Sequence, residues 1–210
     1  CGELALLVAV IINSFSVVLM LYSGSGISAI SSVPFAFSEA FPKLTLGTWT
    51  YIFQGLLIAS LMYMRKKFIS SYMFSFVVGF VFSQFFDLFE LYINMLPQAF
   101  SWRVLYFVVS YILICIGIAL SNRCGLPIIP TDLFPRELST IIKIEYAKIK
   151  ITFDVTCLAI TALLTLFLLG HIDGLGIGTI LAAFTMGKGV AYAGQYLDKN
   201  FQFMPYLQKN

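Results

Sequence analysis

Apolar residues run along this chain in long blocks, and the polar residues gather in short intervals between them. Residues 4–22, 48–64, 69–88, 104–120, 151–169 and 175–197 are each predominantly apolar. A membrane-spanning helix takes about 20 such residues, with a lower limit near 17. The pattern predicts an all-α polytopic membrane protein with six transmembrane helices and no room for a separate soluble domain.

Two of the intervals do not look like solvent loops. Cys124-Gly-Leu-Pro-Ile-Ile-Pro-Thr-Asp132 follows the fourth run and stays apolar. Pro127 and Pro130 lack an N–H and disfavour helix at the residue before each of them, while Gly125 permits a sharp redirection. Ser25-Gly-Ile-Ser-Ala-Ile-Ser-Ser32 follows the first run in the same way. Aligning Gly26 with Gly125 lays Ile27 on Leu126, Ala29-Ile30 on Ile128-Ile129, Ser32 on Thr131 and Phe35 on Phe134. The chain thus reads as two copies of one unit, 1–101 and 102–210, in one integral membrane domain. Three spans per copy is an odd number, so the copies are expected to be inverted repeats, an arrangement common in secondary transporters.

Irregular backbone at membrane depth is tolerated only where protein buries it or it lines a cavity. Residues 28–41, broken at Pro34 and Pro42, therefore predict a partial or re-entrant helix. Residues 133–146 mix Leu and Ile with Arg136, Glu137, Lys143 and Glu145, and predict an amphipathic helix at the inner interface.

Composition agrees with this pattern. The 210 residues are 60% hydrophobic and 11% charged, with a mean hydropathy of +0.92; soluble domains carry about a quarter charged residues. The net charge of +3 is unremarkable, but its placement is not. Arg65, Lys66, Lys67, Arg123, Arg136, Lys143, Lys148, Lys150, Lys199 and Lys209 fall in intervals on one side, against Lys43 and Arg103 on the other. The positive-inside rule then predicts two cytoplasmic termini.

No small-residue cleavage site follows the first run, so it is expected to be a genuine span and not a signal peptide. Cys1 is expected to be an ordinary residue, since a lipid-anchored start would lie outside. The four cysteines, Cys1, Cys115, Cys124 and Cys157, show no paired spacing, which argues against a disulfide framework or a zinc site. His171 is the single histidine. No nucleophile–base constellation and no phosphate-binding Gly-Lys-Ser/Thr motif occurs, so neither an enzyme nor an ATPase of that type is expected. No cofactor, metal or nucleic-acid partner is expected either.

The candidate site residues are the polar groups inside or beside the spans. Lys188 interrupts the sixth run, and intramembrane charge usually faces a bundle interior. Its alternatives are a fixed pair with Asp87 or Asp154, or snorkelling to the inner end. Lys188, Tyr192 and Gln195 share a helical face. Gln54 in the second run aligns with Asp154 in the fifth, and Lys150 lies four residues before Asp154, within reach of an ion pair. Gln84 and Asp87 mark the outer end of the third run. Thr131 and Asp132 sit where a half-helix would begin, as an N-cap or as an anion-binding terminus at the midplane. Ser28 and Ser32, with Ser31 between them, would do the same from the first copy.

The two glycine-containing broken turns, Leu46-Gly-Thr-Trp49, and Gly176-Ile-Gly-Thr-Ile-Leu-Ala-Ala-Phe-Thr-Met-Gly187 together resemble the YczE/YyaS/YitT-like group of bacterial integral membrane proteins. Lys188 stands where that group commonly has a proline. The resemblance implies a small bacterial inner-membrane protein with duplicated halves, for which transport is the usual presumption. The expected function is therefore a transporter, secondary-type or facilitator, of a small organic solute, anionic solutes included. The alternative is a non-transporting membrane subunit that binds a ligand or a partner membrane protein. The lipid bilayer and the solute are the expected partners, with a homodimer or a membrane partner left open.

Overall fold

The computed structural model describes residues 2–200, so Cys1 and Lys209 lie outside the described residues. Within them all regular structure is α-helical. The order is α1 (Gly2–Tyr22), α2 (Ala29–Ala40), α3 (Leu46–Arg65), α4 (Ser70–Ile93), α5 (Phe100–Ser121), α6 (Pro130–Ile142), α7 (Tyr146–Leu169) and α8 (Ile177–Asn200). Each apolar run became a long helix, and each broken turn leads into a short one.

Four helices, α1, α4, α5 and α7, are long and apolar enough to cross a membrane. The sequence pattern predicts six. Helices α3 and α8 are 20 and 24 residues long, but their mean hydropathy falls short. Gln54, glycines and threonines dilute α3; four glycines, Lys188 and Gln195 dilute α8. The outside of the bundle is apolar: Leu4, Phe74, Leu91, Phe167 and Ile177 are among many large side chains left exposed. So broad an apolar exterior is the character of a helical membrane protein.

Helices α1 and α5 cross at the centre and run antiparallel. Arg103 at the start of α5 donates its Nε to the Ser23 carbonyl just past α1, at 2.8 Å. Helix α4 runs parallel to α1, with Phe15 edge-on to Phe89 at 5.3 Å and the Tyr22 hydroxyl donating to the Leu96 carbonyl at 2.7 Å. Helix α8 runs parallel to α5, joined by Tyr111 to Thr185 at 2.9 Å and by the Arg123–Asp198 ion pair. These directions bring Arg65, Lys66, Arg123, Lys143 and Lys199 to one end of the bundle, with the start of α1. That basic end is closed by Ala5, Leu61, Tyr72, Cys124 and Leu133 packed together.

The neighbours come in matched pairs. Exchanging α1–α4 for α5–α8 turns α1·α4 into α5·α8, α3·α4 into α7·α8, α2·α7 into α3·α6, α2·α3 into α6·α7 and α4·α6 into α2·α8, and all of these pairs are in contact. The register differs from the one the glycines suggest. Aligning Asn13 with Ile114 lays every buried residue of α5 on a buried residue of α1. It also pairs Gly24 with Gly125, at φ of 68° and 70°, and Pro34 with Pro135. Gly26 is thus two positions out of step with Gly125: the left-handed turn leaving the first helix is made by Gly24.

A second difference concerns α6. Only its later part, toward 140–145, is exposed at the basic end. It begins at Pro130, and Pro130, Asp132, Leu133 and Pro135 are buried. Proline suits the first helical position, where its missing N–H costs nothing, so the helix starts three residues earlier and inside the protein.

A polar cavity between two opposed half-helices

Helices α2 and α6 begin in the interior and leave in opposite directions. The far end of α2 stacks Phe37 on Trp49 at the start of α3, at 5.1 Å. The far end of α6 places Glu137 on Arg65 at the end of α3, and on the Tyr72 hydroxyl at 2.7 Å. Their N-termini therefore point at each other. Neither Ser28 nor Ile129, the capping positions, makes a side-chain capping bond. Each terminus thus carries partial positive charge toward the centre.

Between the termini lies a cavity of about 40 Å³, room for two or three waters. Its polar lining is Asn13, Ser28, Ser31, Thr131, Asp132 and Lys150; Val17, Ile114, Ile118, Phe82 and Met186 supply apolar walls. Asp132 is 5% exposed. Its carboxylate accepts a long hydrogen bond from Asn13 Nδ2, at 3.4 Å. Asn13, 4% exposed, leaves its Oδ1 unpartnered, pressed toward Gly117, where a Cβ would overlap it. The Ser28 hydroxyl donates to Ser31 Oγ at 2.9 Å.

Lys150 reaches the cavity wall while its Nζ donates to both carboxylate oxygens of Asp154, at 2.6 and 2.7 Å. The pair is 2% and 1% exposed. Two charges so placed hold only because the geometry is bidentate; either one alone would be strongly destabilising.

Of the residues singled out from sequence, Ser28, Thr131 and Asp132 meet at this cavity, and Asp154 stands behind it through Lys150. Asp132 does not cap α6. It lies in the first turn, with its N–H on the Ile129 carbonyl at 3.0 Å. Ser32 is turned to α7 and hydrogen-bonds Thr161 at 2.7 Å. Gln54 is fully buried against Gly79, with neither amide atom partnered. Asp87 anchors the start of α3, accepting from the Gly47 N–H and the Thr45 hydroxyl, both at 2.8 Å.

Gln84, Lys188 and Tyr192 do not join the site, for they are exposed on the outer faces of α4 and α8. Helical spacing groups residues on a face but does not say which face turns inward. On α8 the inner face carries Ala183, Met186, Gly187 and Val190. We accordingly expect Lys188→Ala to shift the melting midpoint by less than about 0.5 kcal/mol equivalent and to leave solute binding at the cavity intact. A binding loss in that variant, read by ligand-induced thermal stabilisation, would move the site to α8.

Asn13 is the cavity residue that sequence reasoning passed over; Ser31 stands with Ser28 as expected, and Lys150 makes the expected pair with Asp154 but does so buried, at the cavity wall. In the sequence Lys150 reads as a cation at the end of a basic loop, within ion-pair reach of Asp154, with nothing local to mark it as buried. The available signal was its alignment: laying Gln54 on Asp154 also lays Thr50, another buried polar residue, on Lys150. Asn13 was visible as an amide in the middle of an otherwise apolar run.

Residues 2–194 match the model of a family of unknown function, DUF6198. Comparison with curated proteins and with solved structures returned no match.

Proposed function

We propose that this chain, which belongs to the DUF6198 family of unknown function, is a six-span membrane transporter of a small solute. In this reading α3 and α8 complete the set of spans, and 1–101 and 102–210 are inverted repeats. The solute site is the cavity between the half-helices. The carrying observation is that the cavity lining is itself paired. In the register that superposes the buried faces, Asn13 corresponds to Ile114, Val17 to Ile118 and Ser31 to Asp132; Phe82 and Met186 hold corresponding places on α4 and α8. A site on the line where two copies meet is where a rocking motion of one copy against the other would expose it to each side in turn. The arrangement described is then an occluded one, and a solute larger than a few atoms requires the halves to part.

By the positive-inside rule the basic end faces the cytoplasm, with both termini. The resemblance to the YczE/YyaS/YitT-like group adds the bacterial inner membrane as the proposed location. The test is uptake of a panel of labelled small organic solutes, neutral and anionic, into proteoliposomes, with Ser31→Trp as the probe variant. We expect uptake of at least one solute and a loss of at least tenfold in the variant, since an indole more than fills the cavity. No uptake across the panel, or uptake that survives the tryptophan, sinks the reading.

One observation favours the second reading, a non-transporting subunit. An apolar groove of about 610 Å³ runs between α1 and α4, bordered by Leu7, Val10, Phe74, Val77, Leu126 and Pro127. A stoichiometric membrane partner retained through purification would support it.

A further inference from the structure

Asp132 occupies the place an anion would take. It sits at the start of one half-helix, faces the start of the other, and is 95% removed from solvent, as its 5% exposure records. Among the described residues its carboxylate accepts one hydrogen bond, from Asn13 at 3.4 Å, which does little to satisfy a buried carboxylate that ordinarily takes several donors. Each half-helix terminus contributes roughly half a positive charge, and Lys150 and Asp154 cancel each other. Ionised Asp132 therefore brings the cavity lining, which does not include Arg136, close to neutrality, and a second anion would leave that lining with uncompensated negative charge in a medium of low dielectric.

We propose that the cavity binds a small monovalent carboxylate together with one proton, the proton residing on Asp132. This deepens the transporter reading and rests on it. With Asp132 neutral, the two helix termini and the hydroxyls of Ser31 and Thr131 are available to the incoming carboxylate. With Asp132 ionised, its own carboxylate holds that place. Proton and solute each raise the affinity for the other, as thermodynamic reciprocity requires, and the pair moves without net charge. The charged and titratable groups facing Asp132 are Lys150, Asp154 and Tyr146 of α7 and Arg136 of its own helix. Arg65 of α3 and Tyr72 of α4 meet α6 at Glu137, toward its far end, and both are engaged there. None of these is a second carboxylate free to take the proton.

The experiment uses the full chain in detergent, with formate as the probe, supplied as its N-methylglucamine salt and as its sodium salt. Formate affinity is measured by thermal stabilisation between pH 5 and pH 8. One proton bound per anion makes the dissociation constant rise about tenfold per pH unit at the alkaline end of that range. Asp132→Asn is expected to bind formate with the tight, acid-limit affinity at every pH. A slope retained in Asp132→Asn overturns the proposal, as does stabilisation that follows sodium and not formate, or no formate effect in either protein. A second measurement needs no variant: formate added to weakly buffered wild-type protein at pH 8 is expected to remove about one proton from solution per formate bound, and no uptake overturns the proposal. Solute uptake without formate binding would leave the transporter reading standing and this one fallen.

Discussion

Lys150→Met should be among the most damaging single substitutions in this protein, with an expected loss of about 3–5 kcal/mol. The lysine and Asp154 are 2% and 1% exposed and joined by two short hydrogen bonds. Removing the cation strands a carboxylate where neither water nor another cation reaches it. The double variant Lys150→Met/Asp154→Leu is expected to recover most of that loss, since apolar residues of similar volume replace buried ion pairs at little or no cost. The measurement is a thermal melt of the single and double variants in one detergent. A double variant as unstable as the single one would show that the pair does more than neutralise itself. A mild single variant would show that Asp154 has another partner.

The second large effect is expected at Gly176. The turn after α1 and the segment before α8 cross backbone to backbone: the Ile27 N–H bonds the Gly174 carbonyl at 3.2 Å, and the Gly178 N–H bonds the Ser25 carbonyl at 3.0 Å. A Cβ on Gly176 would overlap the Ser25 carbonyl and stand 2.8 Å from the Gly26 nitrogen. Backbone cannot swing aside as a side chain can. Gly26 has no room to yield either, since it holds φ of 104° and is itself set against Thr179 and Gly176. Gly176→Leu is expected to cost more than about 4 kcal/mol, in the range reserved for failures of packing or backbone. Gly170→Ala is the control: its φ is 77° with nothing within 4 Å of the added methyl, so only the left-handed strain of about 1–2 kcal/mol applies. Equal melts for the two variants would mean that the crossing is looser than its hydrogen bonds imply.

These cases show what the sequence carries and where it stops. Apolar runs marked all the long helices because a helix buried in protein or lipid needs no polar face. The prolines of 124–132 marked a break, and Pro130 proved to begin a helix. What periodicity does not contain is the inward direction. Lys188 and Lys150 are both cations beside apolar stretches. The one that interrupts a run lies on the outside of α8, and the one that looks like loop charge is buried in α7. Asp87 and Asp132 lie at the depths their runs suggest, Asp87 at a helix start near the bundle's end and Asp132 at the central cavity. Only tertiary pairing separates the two lysines. Its traces in the sequence were the four-residue spacing of Lys150 and Asp154 and the coincidence of Thr50 and Gln54 with them.

The crossing of α1 with α5 has a consequence for how the protein is made. Helix α1 carries Asn13, Ser14 and Ser16 on its buried side, and α5 is the helix that covers Asn13, through Gly117. Roughly 80 residues separate the end of α1 from the start of α5. At a synthesis rate of about 5–20 residues per second, α1 waits about 4–16 s for its cover. During that interval the polar face of α1 lacks the helix that covers it, a state suited to retention by the insertion machinery or by a chaperone of the bilayer. A ribosome stalled before residue 100 should therefore yield a chain that proteases and quality control remove, and supplying residues 102–210 as a separate polypeptide should rescue it.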